Sequence, residues 1–529
     1  MTHLYLFQIG PVQAFIAQAR RTQDLLVGSR ILSDLASAGI KAAMSGSKFQ
    51  AIFPALLEGQ RPKSVPHKFA FIADDEPEKL APQVEQAIRK LWRERYSQPV
   101  KQLVKERVGS GSWEAQFDAQ AENWLEFYWV AMPDYDPEKH AEAYKRATAA
   151  LNQRKYARHF PQMNEPGVKC TLTGAQAALD LPWKKLSDSF NDNNITIRPN
   201  EKLGTLALIK RLVAETPQYP YKKEAEDFPS TDDIAADRKT RQNEASEGKE
   251  VSEYLAVLHM DGDQMGMRLS QLKTLKQNQE FSRDLSRFAE ESVPAIVKQH
   301  GGTMGRLVYA GGDDVLALLP LSHALACANE IRWQFYEQTG CKMSAGIAVT
   351  PANLPLSIAL DLARQAEEMA KEEYGRNALV VTEAHGTGQM RSAGSQWQLE
   401  PQDSEQVFVM QVMSRMQDYF ANKHISSKLG YDVQQIAHDL GTPNSPNEGY
   451  KQMLSAMRRA ELERILKRRF AEGLSDKLKE AILALVPDLV AIGDAYGWDS
   501  LANWLILVRF LATGGQRDLE RTASKEGQA

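Results

Sequence analysis

An acidic pair interrupts two apolar runs in the middle of this sequence. The runs GRLVYA and VLALLP flank Gly311-Gly312-Asp313-Asp314, which predicts two buried strands joined by a turn of adjacent carboxylates. Around this hairpin, between about 251 and 385, the pattern predicts a strand, a helix, the hairpin, a helix, a strand, a helix and a strand. Few folds use this order of elements.

That order of elements is typical of a ferredoxin-like, palm-type sheet. In such a sheet the first strand lies beside the hairpin, so the end of LAVLHMDGD brings Asp261 and Asp263 near Asp313 and Asp314. Crowded carboxylates repel one another unless a cation neutralises them. Mg²⁺ binds carboxylate oxygens together with substrate phosphates, and two ions about 3.5–4 Å apart support displacement at a phosphate. The four acids therefore predict a metal site for nucleotidyl transfer.

Two plainer interpretations of these motifs compete with the metal site. An isolated GGDD is often an ordinary polar turn, in which Gly311 and Gly312 only permit the geometry. DGDQMG resembles the start of a calcium loop, but Met265 and Leu272 stand where an EF-hand needs ligands. Both motifs occur in order, each at a strand end, which favours the metal–nucleotide site. The two glycines then also allow a phosphate or base to approach the backbone.

Composition limits the class of protein. The chain has 529 residues, 43% of them hydrophobic and 25% charged, which is enough for several domains with buried cores. No apolar run is long enough for a membrane span. The three cysteines are too scattered for a disulfide framework, and the net charge of −4 argues against general binding of polyanions. We therefore expect a cytoplasmic protein without a membrane partner.

Several motifs together resemble the large subunit of type III CRISPR RNA-targeting complexes, especially its III-B (Cmr) branch. The segments EYLAVLHMDGDQMG, GRLVYAGGDDVLALLP, MSAGIAV and PLSIALDLARQAEEMAK are similar to that subunit's second palm domain. The start, LYLFQIGPVQAFIAQARRTQDLLVGSRILSDL, resembles its first palm domain, and FPSTDDIAA another local signature.

The resemblance implies an α+β chain with two ferredoxin-like palm domains of the nucleotide cyclase and polymerase type. A small insert domain and a C-terminal helical domain complete it. The expected bounds are 1–160 for a degenerate first palm domain without catalytic acids, 161–250 for the insert and a polar linker, 251–390 for the second palm domain with GGDD, and 391–529 for the helical domain.

The resemblance also implies an activity. It implies an enzyme, switched on by target RNA, that makes a cyclic oligoadenylate messenger from ATP with two Mg²⁺ or Mn²⁺ ions. The expected partners are the other III-B subunits, the guide RNA and the target RNA. Asp261 and Asp313 match the principal metal ligands, with Asp263 and Asp314 as supporting acids, and Asp261, Asp313 and Asp314 are the expected catalytic residues.

Further residues match nucleotide contacts of the family. Gly311 and Gly312 match the turn beneath the nucleotide, Lys371 a lysine that contacts the triphosphate, and Arg376 an assisting cation. Ser344 is a candidate adenine contact. For Lys371 a solvated helix charge is the alternative, and for Ser344 an ordinary strand serine.

The sequence also departs from the family. Many members begin with an HD nuclease domain, whereas this sequence begins almost at the first palm domain, and its only His-Asp dipeptide, His438-Asp439, has a helical context. We therefore expect the form without the nuclease domain and no DNA cleavage. The first strand runs into Gly10, Pro11 and Gln13 where the second copy carries acids, so the first palm domain is expected to bind or support rather than catalyse.

Two segments outside the palm domains carry expectations of their own. In GVKCTLTGAQAAL, which resembles a zinc-binding insert, Thr173 stands where a second cysteine would follow Cys170, so zinc is not expected. The polar tract 222–250 is rich in charge and predicts a mobile linker. Six cations in AMRRAELERILKRRF predict either a surface for RNA or a neighbouring subunit, or a solvated helix face; they are Arg458, Arg459, Arg464, Lys467, Arg468 and Arg469.

Three other functions stay open from the sequence. The same site joins AMP to S-adenosylmethionine in some III-B relatives that lack the nuclease domain. A scaffold subunit without catalysis is the second alternative, although the acids at all four positions speak against it. A stand-alone cyclase of the GGDEF kind, using GTP, is the third, and the duplicated palm fits it poorly.

Overall fold

The chain folds around two β-sheets that are each covered by helices. The computed structural model describes residues 1–55, 65–157, 165–190, 197–237, 253–385, 388–400, 406–441 and 448–513. Both sheets contain four antiparallel strands in the ferredoxin-like order, and helices form most of the remainder. The expected α+β class is therefore confirmed.

The first sheet and its helices form the first palm domain. Its strands are β1 (His3–Gly10), β2 (Gln50–Phe53), β3 (Lys68–Ala73) and β4 (Glu126–Met132). Its helices are α1 (Gln13–Ala17), α2 (Thr22–Ala43), α3 (Pro77–Leu91), α4 (Gln98–Val108), α5 (Trp113–Asn123) and α6 (His140–Tyr156). The sheet order is β2-β3-β1-β4, with antiparallel neighbours. Tyr5 and Phe7 of β1 stack on Phe71 and Phe69 of β3, because alternate residues of a strand share one face.

The insert packs against the first palm domain through four short helices. These are α7 (Trp183–Asp188), α8 (Thr205–Leu212), α9 (Lys222–Glu226) and α10 (Thr231–Ala236). Arg211 of α8 forms a buried ion pair of 2.8 Å with Asp24 of α2, so the two units share one interior. Cys170 is buried here. The absence of zinc stays a prediction.

The expected mobile linker over 222–250 is wrong in its first part. Helices α9 and α10 occupy that part, and the Ser230 hydroxyl caps α10 by accepting from the amide of Asp233 (3.2 Å). Phe228 and Ile234 are buried. The prediction failed because the segment is rich in charge overall, while the few apolar residues in it are enough to pack two short helices against the first palm domain. Residues 238–250 lie outside the described residues.

The second sheet and its helices form the second palm domain. Its strands are β5 (Tyr254–Gly262), β6 (Arg306–Ala310), β7 (Asp314–Pro320), β8 (Met343–Pro351), β9 (Ala378–Ala384) and β10 (Met390–Gln396). Its helices are α11 (Met265–Gln271), α12 (Leu275–Arg287), α13 (Val293–His300), α14 (Ala324–Thr339) and α15 (Leu356–Glu372). The order is β10-β9-β8-β5-β7-β6, and only β8 and β9 are parallel.

The predicted order of elements over 251–385 is therefore found, with two differences. The single helix expected between the first strand and the hairpin is divided into α11, α12 and α13; Thr274 caps α12 by accepting from the amide of Gln277. The sheet also continues past the expected boundary at 390, because β10 pairs with β9 along its whole length. Its sequence, MRSAGSQ, carries small polar residues where a helical domain was expected.

The remaining chain is mainly helical. A short ladder joins β11 (Gln398–Leu399) to β12 (Val407–Phe408). The helices are α16 (Val409–Ala421), α17 (Leu429–Leu440), α18 (Glu448–Arg469), α19 (Asp476–Leu483), α20 (Val486–Tyr496) and α21 (Trp498–Thr513). Trp504 of α21 donates to the carbonyl of Gly394 in β10 (3.2 Å), which ties this part to the second sheet. None of the described helices has both the length and the apolar character that a membrane crossing requires.

Polar contacts join the two palm domains. His140 of α6 is buried, and its ring nitrogens lie 2.8 Å from the Tyr135 hydroxyl and 3.1 Å from the Asn278 side-chain amide of α12. Gln279, also on α12, donates to the carbonyl of Ala51 in β2 (2.7 Å). The first palm domain thereby lies against the second one beside the GGDD turn.

Candidate active site

The acids of the two predicted motifs meet at one end of the second sheet. Asp261 of β5 lies opposite Asp314 of β7, and the amide of Gly262 donates to the carbonyl of Asp313 (3.1 Å). A Cβ on Gly262 would lie only 2.8 Å from Asp313 Cβ, so glycine permits this close approach. The structure brings together Asp261, Asp313 and Asp314, as the adjacency of strand and hairpin predicted.

The two glycines of the GGDD turn have different tasks. The amide of Gly311 donates to the carbonyl of Asp314 (2.9 Å), which closes the turn. A Cβ on Gly311 would overlap the ring of Tyr309. Gly312 has a φ of +84°, in the region that favours glycine. The group that approaches Gly311 closely is thus Tyr309 of the same hairpin, and nucleotide contacts at the glycines stay a prediction.

Lys371 reaches the acids from α15. Its Nζ contacts Asp261 Oδ2 and lies 2.6 Å from Glu367 Oε1. Burial lowers the pKa of Lys371, but the two carboxylates outweigh burial and the net shift is upward. The side chain is only 17% exposed, so the alternative of a solvated helix charge is wrong. Its contact with a triphosphate stays a prediction.

Asp263 belongs to a separate polar group beside the other acids. It is buried, and its oxygens accept from the Ser344 hydroxyl (2.8 Å) and from the amide of Asn377 (2.8 Å). Arg376 lies 3.8 Å from it. Both carboxylate oxygens therefore have partners within the chain, which places Asp263 as a support for the β8 and β9 ends. The expected metal role of Asp263 and nucleotide roles of Ser344 and Arg376 stay predictions.

Burial and neighbouring negative charge raise the pKa of Asp313 and Asp314. Burial, and then the charge of Asp261, raise the pKa of Asp313 to about 7. Burial, Asp261 and Asp313 raise the pKa of Asp314 well above its usual value. Asp314 Oδ1 is buried without a hydrogen-bond partner among the described residues. Such crowding disfavours the ionised forms until positive charge arrives.

The donor set fits a divalent cation in its chemistry. Carboxylate oxygens are the ligands that Mg²⁺ and Mn²⁺ prefer, and the buried free oxygen of Asp314 lies among them. The geometry is less complete: in the described part of the chain, no group of three or more His, Cys, Asp or Glu side chains is spaced to hold a metal ion. Lys371 instead contacts Asp261, so its ammonium supplies positive charge at this place.

Two residues of the site had not been singled out from the sequence. Glu367 is buried and lies between Lys371 and His259, whose Nδ1 is 3.8 Å from Glu367 Oε2. His259 Nε2 lies 3.6 Å from Asp314 Oδ1. Two spacings carried a signal: Glu367 precedes Lys371 by four residues on a helix, and His259 precedes Asp261 by two on a strand, so each pair shares a face.

The start of the first palm domain approaches the same acids. A cavity of about 30 Å³ is lined by Val12 and Gln13 on one side and by His259, Asp314 and Arg364 on the other. The segment IGPVQ, where acids are missing, therefore borders the same cavity as Asp314 of the second palm domain. The two palm domains together enclose the site.

The expected basic surface of α18 is mostly neutralised within the chain. Arg464 and Lys467 pair with Glu461 and Glu463 of the same helix. Arg469 pairs with Asp432 at 2.6 Å, and Arg458 is buried beside Asp494. These contacts favour the solvated or packed helix over a phosphate-binding stripe. His438 and Asp439 are exposed at the end of α17.

Two family models match the chain. The model of the Cas10/Cmr2 second palm domain matches residues 254–380, and the model of the N-terminal region of the CRISPR-associated protein Cmr2 matches residues 4–97. Among curated proteins, the CRISPR system Cmr subunit Cmr2 of Pyrococcus furiosus is 32% identical over 161 residues, covering 24% of this chain and 18% of that protein. The Cas10/Csm1 deoxyribonuclease of Streptococcus thermophilus is 30% identical over 128 residues, 22% of this chain and 16% of that one. The matched part is thus less than a fifth of either relative.

Solved structures share the fold over most of the chain. A chain of the type III-B Cmr-beta complex in its apo state has a TM-score of 0.65, with 13% identity, and the match covers 90% of this chain and 78% of that one. The same complex bound to cognate target RNA has a TM-score of 0.64, with 13% identity and coverage of 93% and 83%. A Csm1–Csm4 cassette in complex with cA4 has a TM-score of 0.52, with 16% identity and coverage of 98% and 70%.

Proposed function

Because this chain belongs to the Cas10/Cmr2 family, we propose that it is the nucleotidyl-transferring subunit of a type III-B CRISPR complex. Its second palm domain would join ATP molecules into an oligoadenylate, cyclic in its final form, when target RNA is bound. The other subunits of the complex, the guide RNA and the target RNA are the proposed partners.

One observation carries this proposal: three acids from two separate motifs converge in register at the end of β5 and β7. Asp261 lies opposite Asp314, and Asp313 is hydrogen-bonded through its carbonyl to the neighbouring Gly262. A hairpin that only needed a polar turn would not gather three carboxylates at one place, where burial and the charge of Asp261 raise the pKa of Asp313 and Asp314. All of them lie within the segment that matches the second palm family model.

Asp261, Asp313 and Asp314 would hold the divalent ions. An ion held there supplies charge stabilisation at the attacked phosphate and lowers the pKa of the attacking hydroxyl. Lys371 would exchange Asp261 for the triphosphate of the bound ATP; its long side chain, which reaches the acids from α15, supports this role. Asp263 would keep the neighbouring strand ends in place through Ser344 and Asn377.

The first palm domain also borders the site. The first palm domain lines the cavity beside Asp314 through Val12 and Gln13, and it offers no acids in the corresponding segment. We therefore assign it the acceptor nucleotide, whose 3′-hydroxyl would face the α-phosphate held at GGDD. Holding both reactants in one cleft would supply much of the rate.

The proposal is tested on the reconstituted complex. The complex, with guide and matching target RNA, is incubated with Mg²⁺ and labelled ATP, with and without S-adenosylmethionine, and products are identified by mass spectrometry. Oligoadenylates from ATP alone are expected. They should fall at least about a hundredfold in Asp313→Ala/Asp314→Ala, because the ligands of the metal are gone.

A matched control replaces two exposed acids, Asp439→Ala/Asp476→Ala, and should keep full product formation. Omitting the target RNA should abolish the products. An adduct that forms only with S-adenosylmethionine would mean that the same catalytic site makes a different messenger. A preference for GTP over ATP would indicate a cyclase of the GGDEF kind. No product in any tube would leave a scaffold role and contradict the proposal.

A further inference from the structure

Lys210 of the insert is a buried lysine whose ammonium group contacts the first palm domain. It belongs to α8 and is only 2% exposed. Its Nζ donates to the carbonyl of Phe15 at 2.6 Å and also to the carbonyl of Gln18. The same Nζ lies 4.9 Å from the centre of the Phe15 ring. The two hydrogen bonds join residues that are 195 and 192 positions apart in the chain.

The carbonyls that Lys210 contacts stand in and just after the last turn of α1. Carbonyl groups at this end of a helix lack partners within the helix, and a lysine ammonium both satisfies them and suits the negative end of the helix dipole. Helix α1 has only five residues, and no side chain caps its amino end. A helix this short is not stable by itself, so contacts with other elements have to hold it in place.

Burial of this lysine carries a cost that its contacts have to offset. Burial lowers the pKa of Lys210 to about 7, whereas an apolar side chain of similar length would fill the space without losing solvation. Gly28 of α2 makes room for the lysine, since a Cβ there would lie 3.3 Å from Lys210 Cδ and 3.7 Å from Ile16 Cα. The fold therefore brings α1, α2 and α8 together around one ammonium group.

Helix α1 is also the part of the first palm domain that borders the acids of the second. Gln13, Ile16 and Ala17 line one side of the cavity of about 30 Å³. Asp314 lies on its other side. Helix α1 contacts α15 as well, which carries Lys371. A displacement of α1 would therefore change the wall of the cavity beside Asp314.

We propose that Lys210 is a positioning residue for nucleotidyl transfer: by holding the carboxyl end of α1, it lets the insert fix the wall of the cavity beside Asp314. The inference rests on the proposed function for the reaction that this wall serves. Arg211, the next residue of α8, contacts α2 instead, where it pairs with Asp24 at 2.8 Å. Successive residues of a helix differ in direction by about 100°, so one helix of the insert anchors two helices of the first palm domain.

The first measurement follows α1 itself. Hydrogen exchange in the full complex with guide and target RNA is read by mass spectrometry over residues 12–19, in wild type and in Lys210→Met. The variant keeps an unbranched apolar side chain and removes the donors. Exchange of these amides should be at least about tenfold faster in the variant, because two carbonyls lose their partner and α1 opens more often. Exchange over β1 and α2 should be unchanged.

The second measurement separates positioning from stability. In the same complex, kcat for oligoadenylate formation from ATP should fall at least about tenfold in Lys210→Met, while KM for ATP changes less than about threefold. The reason is that misaligned groups slow a reaction more than they weaken binding. Lys210→Arg, which keeps the charge and the donors, should retain more of the wild-type kcat than Lys210→Met.

The matched control is Asp24→Ala/Arg211→Met. It removes the neighbouring ion pair of α8 and leaves the contacts with α1 in place, so both exchange over residues 12–19 and kcat should remain as in wild type. If Lys210→Met does not fold, Lys210→Gln, whose shorter side chain still donates, takes its place and should show the same changes to a smaller degree.

Three results would overturn the proposal. The first is unchanged exchange over residues 12–19 in Lys210→Met. The second is faster exchange there with unchanged kcat, with or without a higher KM, since α1 would then be loosened without effect on the reaction. The third is an equal loss of kcat in the Asp24→Ala/Arg211→Met control, because a loosened interior would then explain both variants.

The two proposals fail separately. Faster exchange of α1 in Lys210→Met together with no product from ATP in wild type would overturn the synthase and keep Lys210 as the anchor of α1. Product formation by wild type together with unchanged exchange of α1 in the variant would keep the synthase and overturn the role of Lys210.

Discussion

Lys371 and Asp261 contact each other across the end of the second sheet, although 110 residues separate them in the chain. Glu367 holds the same ammonium at 2.6 Å. The lysine therefore supplies the positive charge that the neighbouring acids require when no other cation is bound. A divalent ion bound at Asp261 would compete with Lys371 for this carboxylate, and a displaced ammonium would be available to a phosphate.

Lys371→Met should raise the affinity for a divalent metal ion and lower the affinity for ATP. Loss of a positive charge next to Asp261 should raise the affinity of the nucleotide-free protein for Mn²⁺ by about three- to tenfold. The same change should raise the KM for ATP. Electron paramagnetic resonance titration measures the first effect, with Lys298→Met, an exposed lysine of α13, as the control. A weaker Mn²⁺ affinity in Lys371→Met would show that the lysine does not compete with the ion.

Gly311→Ala should destabilise the GGDD turn through Tyr309. The added methyl group would overlap the phenol ring, and relieving such overpacking costs about 1–3 kcal/mol. Thermal unfolding should show a lowered midpoint. In a double-mutant cycle, Tyr309→Leu should remove most of the penalty of the added methyl group. Gly266→Ala in α11, where a Cβ meets open space, serves as the control, and equal penalties with and without Tyr309 would contradict this account.

Acid should weaken the contact between the palm domains through His140. Burial lowers the pKa of His140 to about 4, while the unfolded chain has the ordinary value of about 6.5. The unfolded state thus binds more protons between these two values, so stability is full above about pH 6.5 and is lost as pH falls toward 4. From pH 7.5 to 5.5 this one group costs about 1 kcal/mol.

The measurement compares the unfolding midpoints of wild type and His140→Gln at pH 7.5 and 5.5. The variant should have a lower unfolding midpoint at pH 7.5, since glutamine cannot reproduce both hydrogen bonds of the imidazole ring. Its midpoint should also decrease less on acidification than that of wild type. His438→Gln, at an exposed histidine, should keep the wild-type pH dependence. An equal decrease in all three proteins would exclude His140 as the source.

Asp24→Ala should strongly destabilise the joint interior of the first palm domain and the insert. Arg211 would remain buried without its partner at 2.8 Å, and a buried ion pair broken on one side typically costs about 3–5 kcal/mol. Urea unfolding followed by fluorescence should show the loss, and Arg211→Met added to Asp24→Ala should recover part of it. Asp118→Ala, at a partly exposed acid, should change little. A loss as small as that of Asp118→Ala would mean that the two units are not coupled through this pair.

Much of the second palm domain could be predicted from local patterns. Strand and helix periodicity from Leu255 to Val381 is strong, and a ferredoxin-like sheet leaves one place for a hairpin next to its first strand. The approach of Asp261 to Asp314 follows from that topology. Local patterns failed where only a few residues are buried. Phe228 and Ile234 pack an otherwise charged segment against the core. Strand β10 was missed because it is polar, as it lies at the edge of the sheet.

The sequence by itself determined the palm-type order of elements and the convergence of the acids, because both depend on periodicity and on neighbouring strands. Only the tertiary structure decided the partners of the charged side chains: Lys371 on Asp261, Ser344 on Asp263, and Arg211 on Asp24. Such contacts join residues far apart in the chain, and their strength depends on distance and burial, which no local pattern contains.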